Sequence, residues 1–161
     1  MKGFFIALGV FFVLGVIGTE IYLGVTLDRN CTGHLKRAAD ANSVDLAKKE
    51  LSTAVGYLEA NDLTKGYTSI VYNTPDEDIE FFYNNLKESQ KELAKIDSTT
   101  TSLEKTNVLM KLRETLLDSN EKGTAITYPN GLAKYPHNLL WVILDILAGF
   151  IVLLIIAALK D

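Results

Sequence analysis

Two carboxylates stand alone inside otherwise uncharged apolar runs, and they are the residues of this sequence most suited to chemistry. Glu20 interrupts a stretch that is uncharged from Gly3 to Thr19 and again from Ile21 to Leu27; Asp145 interrupts the run from Leu139 to Leu159. An ionisable group held in a hydrocarbon layer costs about 3 kcal/mol, so each needs a partner. If the two runs are antiparallel helices, Glu20 lies seven residues before the domain-side end of the first and Asp145 six residues after the domain-side start of the second. Both then lie about 10 Å below the same surface. Small residues share their helical faces, Gly9 and Gly24 with Glu20, Ala148 and Gly149 with Asp145, which is the pattern of helices in close contact. Three readings are open. The carboxylates stay protonated and hydrogen-bond across a helix interface, or they pair with a basic residue from another subunit, since neither run holds Lys or Arg. In the third, an oligomer gathers them into a ring that passes protons or cations.

Other chemistry-bearing residues form thinner patterns. Cys31 and His34 follow the first apolar run and His137 precedes the second, so a closed hairpin brings a Cys-x-x-His pair near a second His. A structural zinc site has a second close ligand pair, which this set lacks, so no metal is expected. One cysteine closes no intramolecular disulfide. Asp76, Asp78 and Glu80 alternate like calcium ligands, but they open a helix, where acids favour the positive dipole end. Neither histidine has a nucleophile at recognisable spacing, so no enzyme and no cofactor are expected.

The elements that position these residues follow from composition and periodicity. The chain has 161 residues, a net charge of −4, a pI near 5.2 and a mean hydropathy of +0.14. That charge balance argues against nucleic acid as a partner. The apolar residues gather at both ends around a charged middle, which predicts an all-α membrane protein with two transmembrane helices flanking a small three-helix, or four-helix, soluble bundle. Residues 1–27 read as an uncleaved anchor rather than a signal peptide, because apolar character resumes after Glu20. Residues 28–138 form the soluble domain, and 139–161 the second span with a short tail.

Within the domain, Ala47, Leu51, Ala54, Val55 and Leu58 make one apolar stripe, and Leu35, Ala38 and Ala39 carry it back toward the first span. The first span is therefore expected to run on as one long helix broken near Asn42 and Ser43. Thr74-Pro75-Asp76-Glu77 reads as a helix start with Thr74 as cap. Thr101 with Glu104 reads as another, for a helix ending before Gly123. In an up-and-down arrangement that begins at Ser43, the loop from Asn61 to Asn73 forms the membrane-distal tip. Its Tyr67 and Tyr72 suit partner binding.

The order of span, helical domain and span resembles the layout of the extracytoplasmic sensing half of bacterial chemoreceptors. That resemblance of layout implies a ligand-binding sensor module without its own output domain. Lys2 and Lys160 lie at the free ends, against Arg29, Lys36, Arg37, Lys122 and Lys134 on the domain side. A loop this long escapes the positive-inside rule, and a short Lys-bearing start suits export, so the domain is placed outside a bacterial inner membrane. The function expected first is a non-enzymatic integral membrane subunit. It would be an accessory component of a larger assembly, with the lipid bilayer and other membrane subunits or further copies of itself as partners. A small oligomeric proton or cation channel using Glu20 and Asp145 is the alternative.

Overall fold

Twenty-five successive residues with a single charge leave the first segment nothing to do but form a helix with its side chains turned outward. In the computed structural model, which describes residues 2–120 and 123–160, α1 spans Lys2–Leu27. Lys122, counted above among the domain-side cations, lies outside the described residues. The helix does not stop at Leu27. A π turn at Asp28–Thr32 carries it into α2, Gly33–Ala39, so that Lys2–Ala39 is one continuous rod of 38 residues, about 57 Å long at helical rise. It breaks at Asp40–Ser43, and Ser43 caps α3, Val44–Ala60, by accepting a hydrogen bond from the Leu46 amide. A second helical hairpin follows, α4 at Ile79–Ala94 and α5 at Ser102–Leu116, and the chain closes with α6, Asn138–Lys160. The protein is mostly helical, 75% of it.

α1 and α6 are each long and apolar enough to cross a membrane by length and composition, and both are largely exposed. Phe11 shows 78% of its surface and Leu159 71%. They pack on each other along narrow seams. The less exposed residues of α1 include Gly9, Val13, Val16, Glu20, Leu23 and Leu27, and those of α6 include Trp141, Leu144, Ala148, Ile151 and Ile155. Spacings of three and four alternate along both, the repeat that keeps one face of a helix against its neighbour.

The domain core joins the two hairpins. Leu35 of α2, Leu51, Val55 and Leu58 of α3, Ile79, Leu86 and Leu93 of α4, and Leu116 of α5 are all but fully buried in one cluster with Cys31 and Leu132. Polar ties on its surface set the directions. Lys48 donates to the Ile96 carbonyl at 3.1 Å and Tyr83 to Glu59 Oε1 at 2.7 Å, which places the start of α3 beside the end of α4 and its end beside the start of α4. Lys111 of α5 pairs with Glu92 near the end of α4, and Leu116, the last residue of α5, lines one cleft with Phe82 and Leu86 nearer the start of α4. The rod thus leaves the apolar helices, α3 returns, α4 leaves and α5 returns.

Three expectations change. Thr74-Pro75-Asp76-Glu77 forms a separate 3-10 turn at Pro75–Glu77, and α4 starts later, capped by Asp78 accepting from the Phe81 amide at 3.0 Å. Thr74 instead binds the Glu77 side chain. The helix from Thr101 carries the expected capping box with Glu104 but ends at Leu116. There the chain turns into an antiparallel hairpin, β1 at Leu117–Asn120 and β2 at Gly123–Ile126, with Leu117 opposite Ile126. The third concerns the loop from Asn61 to Asn73. Because the rod itself supplies the first ascending helix, α3 descends, and the loop lies at the end of the domain from which α1 and α6 emerge, not at the far tip. The far end holds residues 40–43 and 95–101.

Candidate functional site

A proline-asparagine-glycine turn sits between the domain and α6, and everything at the site follows from how that turn is anchored. Pro129 accepts from the Leu132 amide at 3.2 Å, and Gly131 adopts a left-handed φ of 81°. A Cβ at Gly131 would meet the Asn138 amide nitrogen at 2.7 Å, so the turn admits only glycine at this position without displacing that side chain. Asn138 donates to the Gly131 carbonyl at 2.9 Å, which ties the turn to the start of α6. Leu132, the first residue of a 3-10 turn at Leu132–Lys134, is 1% exposed and plugs into the domain core with Leu27 and Cys31.

With Leu132 held inward, Lys134 two residues on is directed into the cleft between α1 and α6. Its ammonium bonds the Glu20 carboxylate, lies 3.6 Å from Asp145 Oδ2 and sits 5.7 Å from the centre of the Trp141 ring. Trp141 and Asp145 are one helical turn apart on α6, so they share a face. One cation therefore serves two carboxylates from two helices and is covered by an aromatic face, an arrangement that suits a partly desolvated ammonium. The Lys134 side chain is 30% exposed. Burial works against the charged form of Lys134, but the hydrogen bond and charge of Glu20, joined by the charge of Asp145, outweigh it and leave its pKa raised.

The structure thus brings Glu20 and Asp145 to one place but partners them differently from the expectation. The cation is neither a shared proton nor a residue of another subunit; it comes from this chain's own turn. Spacing within the apolar runs missed it because Lys134 lies outside both, four residues before Asn138. A four-carbon stem lets a lysine reach back along a helix surface to a buried charge. The available signal was the cation nearest the second apolar run on the far side of a turn motif.

The helix-contact glycines divide. A Cβ at Gly9 would meet Ile151 at 2.9 Å and Ile155 at 3.1 Å, so Gly9 lets α6 approach, and Ala148 is buried in the same seam. Gly24 and Gly149 have nothing within 4 Å of where a Cβ would stand. Both were expected in the contact, but the alternation of three and four carries the seam through Leu23 and Ala148, one residue away from each.

The metal candidates do not converge. Cys31 is fully buried among apolar side chains, and His137 is exposed beyond the turn. His34 of α2 donates from Nδ1 to Oε2 of Glu50 on α3 at 2.6 Å, and Arg37 holds the other carboxylate oxygen at 2.7 Å. Glu50 is only 5% exposed. Its pKa is lowered, first by the His34 hydrogen bond and then by the Arg37 charge, against the opposing effect of burial. Among the described residues no group of three or more His, Cys, Asp or Glu side chains is placed to hold a metal ion. Tyr67 and Tyr72 lie on the loop at the α1–α6 end of the domain and are both exposed. Comparison with protein-family models, curated proteins and solved structures finds no match to this chain.

Two outcomes are expected. Lys134→Met leaves both carboxylates without their cation and lowers stability by about 2 kcal/mol, seen as earlier thermal melting in detergent. The double variant Lys134→Met, Glu20→Gln regains part of the loss because one stranded charge is gone. Equal melting of Lys134→Met and the unsubstituted protein would refute the lock. For Glu50, a lowered folded-state pKa means stability that is present above the ordinary glutamate value and is lost as pH falls through the folded one. The melting gap between the unsubstituted protein and Glu50→Gln is therefore expected to be full at neutral pH and to close as pH falls below the ordinary glutamate range toward the lowered folded-state value; a gap that is independent of pH contradicts the assignment.

Proposed function

We propose that this chain is a non-enzymatic membrane subunit: α1 and α6 cross a bilayer as an antiparallel pair, and the α2–α5 domain stands at one face as part of a larger assembly. The observation that carries this reading is the contrast between the two surfaces of the helix pair. Outward lie large apolar side chains such as Phe4, Phe11, Ile21, Ile146 and Leu153, all more than half exposed, an apolar area that soluble monomers do not leave uncovered. Inward lie the seam and, at its domain end, the two carboxylates that share Lys134. Lys134 offsets part of the cost of holding Glu20 and Asp145 in a bilayer from within the chain, one ammonium against two carboxylates leaving a single negative charge.

Docking onto neighbours then falls to other surfaces. Gly15, Gly18 and Gly24 of α1 and Gly149 of α6 have open space where a Cβ would stand, and glycines on a lipid-facing helix let another helix approach closely. An ammonium lodged between the two carboxylates supports a structural role for them over a conducting one. Many of the domain's described polar side chains are engaged in caps and ion pairs, such as Glu50 with His34 and Arg37, and Glu59 with Tyr83 and Lys87, which suits a scaffold more than a reaction centre.

Protein solubilised in mild detergent from its native membrane is expected to elute with other chains, identified by mass spectrometry. Isolation as a lone monomer without companions overturns the subunit reading. Glu20→Gln, reconstituted in vesicles, is expected to leave proton permeability at the unsubstituted value; a loss of flux would instead establish conduction through this residue.

A further inference from the structure

The loop between α3 and α4 is built as a neck and an excursion. The Thr68 amide donates to the Glu77 carbonyl at 3.1 Å and the Ile79 amide to the Gly66 carbonyl at 2.9 Å, with Tyr67 paired to Asp78 in a short antiparallel bridge. Residues 69–76 project from that neck. The neck is pressed against the turn that carries Lys134: Tyr135 donates to the Lys65 carbonyl at 3.1 Å, Gly131 lies against Thr68, and a Cβ at Gly66, whose φ is 103°, would collide with the Tyr135 hydroxyl. The excursion therefore leaves the domain beside the start of α6, at the level where the helix pair begins.

Its composition differs from the rest of the domain. From Gly66 to Asn73 there is no charge, and Ile70, Val71 and Tyr72 stand consecutively exposed, Val71 at 77% and Tyr72 at 78%. Phe81, in the first turn of α4, adds a further exposed ring. Consecutive exposed apolar residues flanked by tyrosines are costly in water and at home in the headgroup region, where the ring body meets acyl chains and the hydroxyl meets water.

We infer that residues 69–73 are a membrane-surface foot: Ile70, Val71 and Tyr72 insert into the headgroup and upper acyl region of the bilayer that α1 and α6 cross. The inference rests on the spanning role proposed above. A lipid surface is the occupant because the neck already holds the excursion beside the emerging α6. The foot would give the domain a third attachment besides α1 and α6 and so limit its tilt on the rod.

The test is site-directed spin labelling of the full chain in phosphatidylcholine vesicles. Single cysteines are introduced as Val71→Cys on the foot, Ile146→Cys on the outer face of α6 and Ser98→Cys at the far end of the domain. The unsubstituted protein serves as the labelling blank, since Cys31 is fully buried. Collisions with oxygen, which concentrates in lipid, are compared with collisions with a water-soluble nickel chelate. The expected result is lipid exposure at 146, water exposure at 98, and at 71 nickel accessibility several-fold below that at 98 with raised oxygen accessibility. Water exposure at 71 equal to that at 98, with 146 in lipid, overturns the foot and leaves the spans standing. Shielding at 71 from both probes, with 146 in lipid, also overturns it, in favour of a protein neighbour. Water exposure at 146 overturns the spanning reading and the foot with it.

Discussion

A single ammonium between two carboxylates is the constraint around which the helix pair is organised. Glu20 and Asp145 sit on different helices, each in a segment otherwise free of charge, and Lys134 reaches both. Without the cation, two negative groups would face one another in a poorly hydrated cleft, where their repulsion is far stronger than in water. With it, both carboxylates are drawn to one cation at the cleft, and the outer surface of the pair is left predominantly apolar. The lock also fixes the relative height of α1 and α6, because a lysine stem of fixed length, anchored two residues after the buried Leu132, reaches only a narrow band of each helix.

That anchor ties the helix pair to the domain. Leu132 belongs to the same buried cluster as Leu27 and Cys31 on the rod and Leu58 on α3, so the turn bearing Lys134 is positioned by the domain core and not by the apolar helices alone. α1 enters the domain without interruption through the π turn, while α6 enters through a turn held by Asn138, Leu132 and Tyr135. A displacement of the domain relative to the helices would therefore have to bend a continuous helix and withdraw a lysine from its carboxylates together.

Much of the helical layout is legible in local sequence. The stripe from Ala47 to Leu58, the box of Thr101 with Glu104, and the break near Asn42 and Ser43 are set by interactions within a few residues, which is why periodicity and capping chemistry recover them. The course of the chain is another matter. Counting the first ascending helix from Ser43 instead of from the rod inverts every later direction and sends the loop at Asn61–Asn73 to the wrong end of the domain. The hairpin after Leu116 was equally hidden, since the leucine spacing that predicts a helix continues almost to its start and gives no sign of where packing ends it.

The sequence alone determined that this chain has two apolar helices at its ends, a charged helical middle, and two acidic groups at matching distances from the boundaries between them. Those properties follow from hydrophobic period and residue count, which act along the chain. Only the tertiary structure decided which cation answers the acids, that His34 binds Glu50 rather than joining Cys31, and which end of the domain the tyrosine loop occupies. Glu20 and Lys134 are 114 residues apart, and a side chain's reach across that separation depends on where a turn is clamped by the core, a property of packing that no local spacing records.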